Sequence, residues 1–209
     1  MHPSFRIAVL FAFACSPALF AALPTPAASA ETAKPLAVGT PAPGATLNDT
    51  EGATVKLTDA LAGKPTILVF YRGSWCPYCN RQLAALGELE PQLLALGYQI
   101  LAISPDRAEG LKKMAGKNHL TYRLLSDRGM SASGGYGVAF RLSAEIEKAY
   151  RAHGIELTPV PGGEGYWLPV PAVFIVGSNG VIQFAFSNPD YKVRLAADAL
   201  LAAAHVGAK

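Results

Sequence analysis

Two cysteines three positions apart, Cys76 and Cys79 in Trp75-Cys76-Pro77-Tyr78-Cys79, are the residues of this chain best placed to do chemistry. They follow a strand-length apolar run, Thr66 to Tyr71, and open a helical pattern that continues Asn80-Arg81-Gln82-Leu83. At such a junction the first thiol meets a helix N-terminus, where unpaired N–H groups and the helix dipole favour a thiolate. The second lies about one turn on, on the same face and within reach of a disulfide. The arrangement is that of a redox-active dithiol, although a Cys-x-x-Cys can also be half of a zinc site. Cys76, expected to be the more exposed thiol, is the candidate nucleophile. Cys79 is the candidate resolving thiol.

The third cysteine is Cys15, within a segment that reads as a signal peptide. Arg6 precedes the mostly apolar run Ile7 to Leu23, and Ala28-Ser29-Ala30 is a small-x-small cleavage site. Pro17 breaks the run, which falls short of the roughly 20 residues a membrane span needs. Cleavage after Ala30 leaves both remaining cysteines in the motif and places the chain outside the cytoplasm, as an exported, periplasmic protein.

The full chain has 209 residues and a formal charge of +3, so the mature part has the length of one domain and no electrostatic footprint for nucleic acid. Residues 1–30 read as the signal peptide, 31–45 as a flexible leader rich in Pro, Ala and Thr, and 46–209 as the folded domain.

Several elements must position the thiols. A hairpin is expected over Leu47 to Leu57, turning at Glu51-Gly52, then a short helical turn from Asp59. Thr66 to Tyr71 is a central strand, followed by a helix from Pro77 to Leu96 that stops at Gly97. Tyr98 to Ser104 is a strand and Pro105-Asp106 starts a helix to Lys117. Tyr122 to Ser126 is a short strand, Met130 to Phe140 a broken helix, and Ser143 to His153 a helix capped by Ser143. Thr158 to Gly165 is a loop. Ala172 to Phe186 is a hairpin around Gly177-Ser178-Asn179-Gly180, and Lys192 to Ala204 a closing helix. The class is α/β, with parallel pairs and a late antiparallel hairpin.

This order, the Trp-Cys-Pro-Tyr-Cys motif after the first long strand, and Val170-Pro171-Ala172 before the late hairpin resemble the thioredoxin superfamily over about residues 44 to 205. The leading hairpin, Ile100 to Asp106, Leu124 to Asp127 and Phe174-Ile175-Val176 are similar to its alkyl hydroperoxide reductase/thiol-specific antioxidant branch, the peroxiredoxin-like proteins. The resemblance implies a thioredoxin fold with a peroxiredoxin-like N-terminal hairpin and an inserted helix and loop before a cis-proline, Val170–Pro171, packed against the motif. It implies no organic cofactor and no metal. Protein or small-molecule disulfides and thiols would be the substrates, with a redox partner protein supplying or accepting electrons. The Pro77-Tyr78 pair, as in glutaredoxin-like motifs, points to a potential on the order of −200 mV rather than −270 mV.

The peroxidase pattern of that branch is broken. Its Pro-x-x-x-Thr-x-x-Cys, set with the cysteine on Cys79, puts Arg72 on the proline and Cys76 on the threonine. Pro171 then stands where an arginine should open the late strand. The principal reading is a thiol–disulfide oxidoreductase. The first alternative is an antioxidant thiol peroxidase with Cys79 peroxidatic and Cys76 resolving. The second is a copper or haem-maturation binding module.

Around the thiols, Trp75 is a groove wall or plain packing, and Arg72 a cation beside Cys76 or a solvated loop residue. Tyr166 to Pro169 forms an apolar rim or core of the insertion. His119 and His153 are expected at exposed helix ends. Asn188 or Asp190 should cap the last helix, and Tyr191 and Arg194 either stay with that cap or reach the active-site face. The thioredoxin branch often carries a buried acid six residues before its first cysteine; Phe70 stands there, leaving open the proton acceptor for Cys79.

Overall fold

The computed structural model describes residues 25–207. The apolar segment before them and Cys15 lie outside the described residues. β1 (Thr46–Asn48) and β2 (Thr54–Lys56) form the leading hairpin, followed by α1 (Leu57–Leu61), in which Asp59 sits in the first turn instead of capping. β3 (Thr66–Phe70), α2 (Pro77–Ala95), β4 (Gln99–Ser104), α3 (Ala108–Asn118) and β5 (Arg123–Ser126) make two parallel crossovers. The late hairpin is β9 (Ala172–Val176) and β10 (Ile182–Ser187), and α6 (Ala197–Gly207) closes the chain. The main sheet runs β10-β9-β3-β4-β5-β1-β2.

β3 is buried along its whole length because helices or loops cover both of its faces. Its period of two divides the core. Ile67, Val69 and Tyr71 pack on one face with Cys76, Cys79, Leu83 and Leu200, beneath α2 and α6. Leu68 and Phe70 pack on the other face, with Leu101, Tyr136, Val170 and Phe174. Leu83 is fully buried in the first layer, and its truncation to alanine would cost about 2–5 kcal/mol.

The insertion departs from expectation. The segment read as one broken helix is α4 (Ser131–Gly135) followed by β6 (Ala139–Arg141). α5 (Ala144–Ala152) is capped as expected, Ser143 Oγ accepting from Ile146 N at 3.3 Å. The loop from Thr158 contains β7 (Thr158–Pro159), and β8 (Tyr166–Pro169) completes a second sheet, β6-β8-β7. Strands this short carry too little periodicity to be read locally. Trp167 is fully buried with Met130, Ala139 and Val160, so Tyr166 to Pro169 is chiefly core of the insertion.

Three further expectations are corrected. Residues 31–45 are tied down: Leu36 N bonds Tyr136 O, Gly39 N bonds Ile182 O and Ala42 N bonds Gly180 O. Ala33, Leu36, Ala42 and Ala45 also pack on the second core layer, so small apolar side chains that resemble a linker in composition serve as packing. The last helix starts at Ala197, not Lys192. Asn188 and Asp190 instead cap local turns, accepting from Asp190 N at 2.9 Å and Lys192 N at 3.0 Å. Finally, no cis peptide bond occurs among the described residues, so Val170–Pro171 is trans, the form that intrinsic energetics favours. Val170 N donates to Val138 O at 2.8 Å and its side chain packs on the face away from the thiols, not against the motif as expected.

Candidate active site

Cys76 is the N-cap of α2 and Pro77 its first residue, a position where a missing N–H costs nothing. The turn leading to it is held from three sides. Cys76 N donates to Gly73 O at 3.1 Å, and Asn80 Nδ2 donates to both Ser74 O and Cys76 O at 2.9 Å. The Asp106 carboxylate, just beyond β4, accepts from Ser74 N at 2.7 Å and from Ser104 Oγ at 3.1 Å. Gly73 is required here. Its φ is +148°, and a Cβ would stand 2.5 Å from Trp75 Nε1 and 3.0 Å from Asp106 Oδ1.

Both thiols are free and neither has exposed surface, so Cys76 is not the more exposed of the two as expected. Trp75 and Tyr78 pack against the cluster that contains them. The thiols nevertheless differ as the helix terminus predicts. Cys76 is lowered to about 6, chiefly by a hydrogen bond from the Cys79 thiol, against the cost of burial, with help from the Cys79 backbone N–H and the Arg72 and Arg194 charges. Cys79 is pushed well up, first by burial and then by its neighbour Cys76.

Arg72 is 4% exposed and enclosed by aromatic rings. Its guanidinium carbon lies 5.0 Å from the Trp75 ring centroid, 5.4 Å from that of Tyr150 and 4.0 Å from that of Tyr191. Nη2 also donates to the Tyr150 hydroxyl. The ring faces attract the buried cation electrostatically where no carboxylate among the described residues pairs with it. Arg194, in the loop before α6, reaches Cys79: Nη2 donates to Sγ at 3.5 Å, Nη1 to Gln82 Oε1 at 2.9 Å and Nε to Tyr191 O at 2.8 Å. The same loop therefore brings both Tyr191 and Arg194 to the active-site face.

Of the residues singled out in the sequence, Trp75 and Tyr78 pack against the cluster that holds the thiols, Pro77 opens the helix between them, and the Arg72 charge acts on Cys76. Pro171 lines a cavity of about 230 Å³ with Arg72, Tyr150 and Tyr191. His119 and His153 stand at the C-caps of α3 and α5. Tyr150, Gln82 and Asp106 were not singled out, because their contacts join segments far apart in sequence. Phe70 faces the opposite core layer, against Tyr136 and Phe174, so its position could not present a carboxylate to Cys79. Tyr71, the next residue, turns its hydroxyl into the thiol-side core with no hydrogen-bond partner among the described residues.

The fold and the paired thiols define a thiol-dependent oxidoreductase of the thioredoxin superfamily. Residues 38–185 match the AhpC/TSA family model, and the chain belongs to that family. It is 29% identical over 150 residues to the chloroplastic peroxiredoxin Q of Sedum lineare, covering 72% of this chain and 68% of that protein. It is 36% identical over 149 residues to the thiol-disulfide oxidoreductase ResA of Geobacillus thermodenitrificans, covering 71% and 68%. Against the peroxiredoxin Q of Triticum aestivum it spans 58% of the relative's length. Among solved structures, reduced Prx3 from Vibrio vulnificus superposes with a TM-score of 0.66 at 20% identity, over 81% of this chain and 99% of that one. Xanthomonas campestris peroxiredoxin Q superposes with a TM-score of 0.61 at 22% identity, over 78% and 91%. At these identities the structures speak for the fold alone.

Proposed function

We propose that this chain is an exported thiol–disulfide oxidoreductase. The observation that carries the reading is the asymmetry of the pair: an acidic Cys76 at the helix N-terminus and a protonated Cys79 one turn behind it. The Cys76 thiolate attacks one sulfur of a substrate disulfide, forming a mixed disulfide and releasing the other sulfur as a thiolate. Cys79 gives its proton to the thiolate just released and attacks Cys76, closing the Cys76–Cys79 disulfide and releasing the substrate's second thiolate. The dithiol of a partner protein returns two electrons. The likeness to ResA supports this chemistry. The Ile7 to Leu23 run and Ala28-Ser29-Ala30 support export, and no helix among the described residues is long and apolar enough to cross a membrane.

Arg194 gives weight to the peroxidase alternative, as does the likeness to peroxiredoxin Q. A guanidinium on Cys79 offers a cation where the branch's late-strand arginine has become Pro171. Cys76 in place of the threonine still removes the hydroxyl beside the peroxidatic sulfur. Without a complete set of preorganised donors, a thiolate should meet peroxide at an ordinary rate. Stopped-flow oxidation of the reduced protein by hydrogen peroxide and by an organic hydroperoxide, beside a disulfide-exchange assay, decides between the readings. Exchange should be far faster. Peroxide oxidation orders of magnitude above that of a free thiol, with sulfenate on Cys79, would establish the peroxidase instead.

A further inference from the structure

Beside Cys79, between α2, α6 and the loop that carries Arg194, lies a cavity of about 310 Å³. The sheet contributes Val69 and Val173 to its wall, α2 contributes Leu86, and α6 contributes Leu200. Its charged lining is of one sign. Arg81 and Lys192 are exposed and Arg194 is half-buried, while no aspartate or glutamate lines it. None of these three cations forms a salt bridge among the described residues; the four ion pairs present all lie elsewhere. Arg81 rests its guanidinium 4.6 Å from the Tyr78 ring centroid. Arg194 spends one N–H on each of Tyr191 O, Gln82 Oε1 and Cys79 Sγ, which leaves two of its five donors for another acceptor.

An apolar chamber with an unneutralised cationic side fits a ligand with an aliphatic body and an anionic head. At about 30 Å³ per water-sized group, there is room for roughly ten such groups. We propose that this cavity binds a medium-chain aliphatic carboxylate, whose head engages Arg194 and whose chain lies between α2 and α6. Binding then bears on the dithiol directly. A carboxylate held on the two free donors pairs with the guanidinium and offsets its charge beside Cys79. Cys79 loses that support for its thiolate, and its attack slows. The carboxylate is a ligand of the enzyme and undergoes no reaction.

Titration calorimetry of the reduced full chain with decanoate, decanol, decylamine and hexanoate tests the proposal. Decanoate should bind at least tenfold more tightly than decanol, with decylamine weaker again, and hexanoate at least tenfold more weakly than decanoate. Ala85→Phe and Ala197→Phe, which fill the cavity from half-buried and exposed positions, should each weaken decanoate at least tenfold and leave disulfide exchange without ligand unchanged. In a Cys76→Ser chain, saturating decanoate should slow alkylation of Cys79 at pH 9 about threefold. Equal binding of decanol would remove the anionic head from the proposal. Undiminished binding in both folded cavity variants would remove the site. Absence of decanoate binding, or burial of this face in a dimer that decanoate does not dissociate, would overturn the proposal entirely and leave the exchange chemistry untouched.

Discussion

The Arg72 guanidinium carbon lies 4.0 Å from the centroid of the Tyr191 ring. This contact joins the segment just before the nucleophile to the loop that delivers Arg194 to the second thiol. One stacking contact thus couples the surroundings of Cys76 and Cys79.

Arg72→Gln keeps much of the side chain's bulk and removes its charge. Cys76 should then titrate about one unit higher, as expected for loss of one nearby cation. Alkylation of the reduced protein between pH 4 and 9 measures this. An unmoved profile would mean that the charge is screened from Cys76.

The wild-type profile itself should show Cys76 reacting first, with a midpoint near 6. Its folded value is depressed below that of an unfolded thiol, about 8.5. The resulting stabilisation of the reduced form is complete above the unfolded value and is lost as pH falls through 6. Denaturant unfolding of the reduced wild-type chain should therefore show stability rising from pH 5 to pH 8. A Cys79→Ser chain should accumulate mixed disulfides through Cys76 and a Cys76→Ser chain should not; trapping in the Cys76→Ser chain alone would reverse the assigned roles.

Gly73→Ala places a methyl group against Trp75 and Asp106 at a φ of +148°. The strain should cost about 1–3 kcal/mol and lower the melting temperature. Asp106→Ala frees Ser74 N and Ser104 Oγ without that strain. It should slow exchange more than it lowers stability, because the turn before Cys76 loses its anchor. Calorimetry beside exchange kinetics separates the two effects.

N-terminal sequencing of the exported protein should begin at Glu31. A retained, lipidated Cys15 would replace a released protein with a tethered one.

The dithiol, the central strand and α2 were legible because each rests on local pattern: a spacing, a continuous apolar run, a proline at N1. Gly97 was legible as a stop, and it has φ +85°. Tyr191 and Arg194 were visible only as two possibilities, since their placement depends on where α6 begins. The Arg72 enclosure was not legible, because Tyr150 reaches it from α5, 78 residues away. The leader was misread because composition reports polarity and flexibility, whereas its placement depends on backbone bonds to distant carbonyls.

The stretch just ahead of Glu31 has a consequence for maturation. Ala27 N bonds Ala139 O at 2.9 Å and Arg141 N bonds Ala27 O at 2.8 Å, in parallel pairing with Phe140. In the uncleaved chain this pairing shields the side of β6 that β8 leaves free. Cleavage after Ala30 would remove this guard and bare a donor and an acceptor on an edge strand, able to take up an extended segment of another chain. Amide exchange at Arg141, slow in the uncleaved chain and fast in the processed one, would reveal that edge.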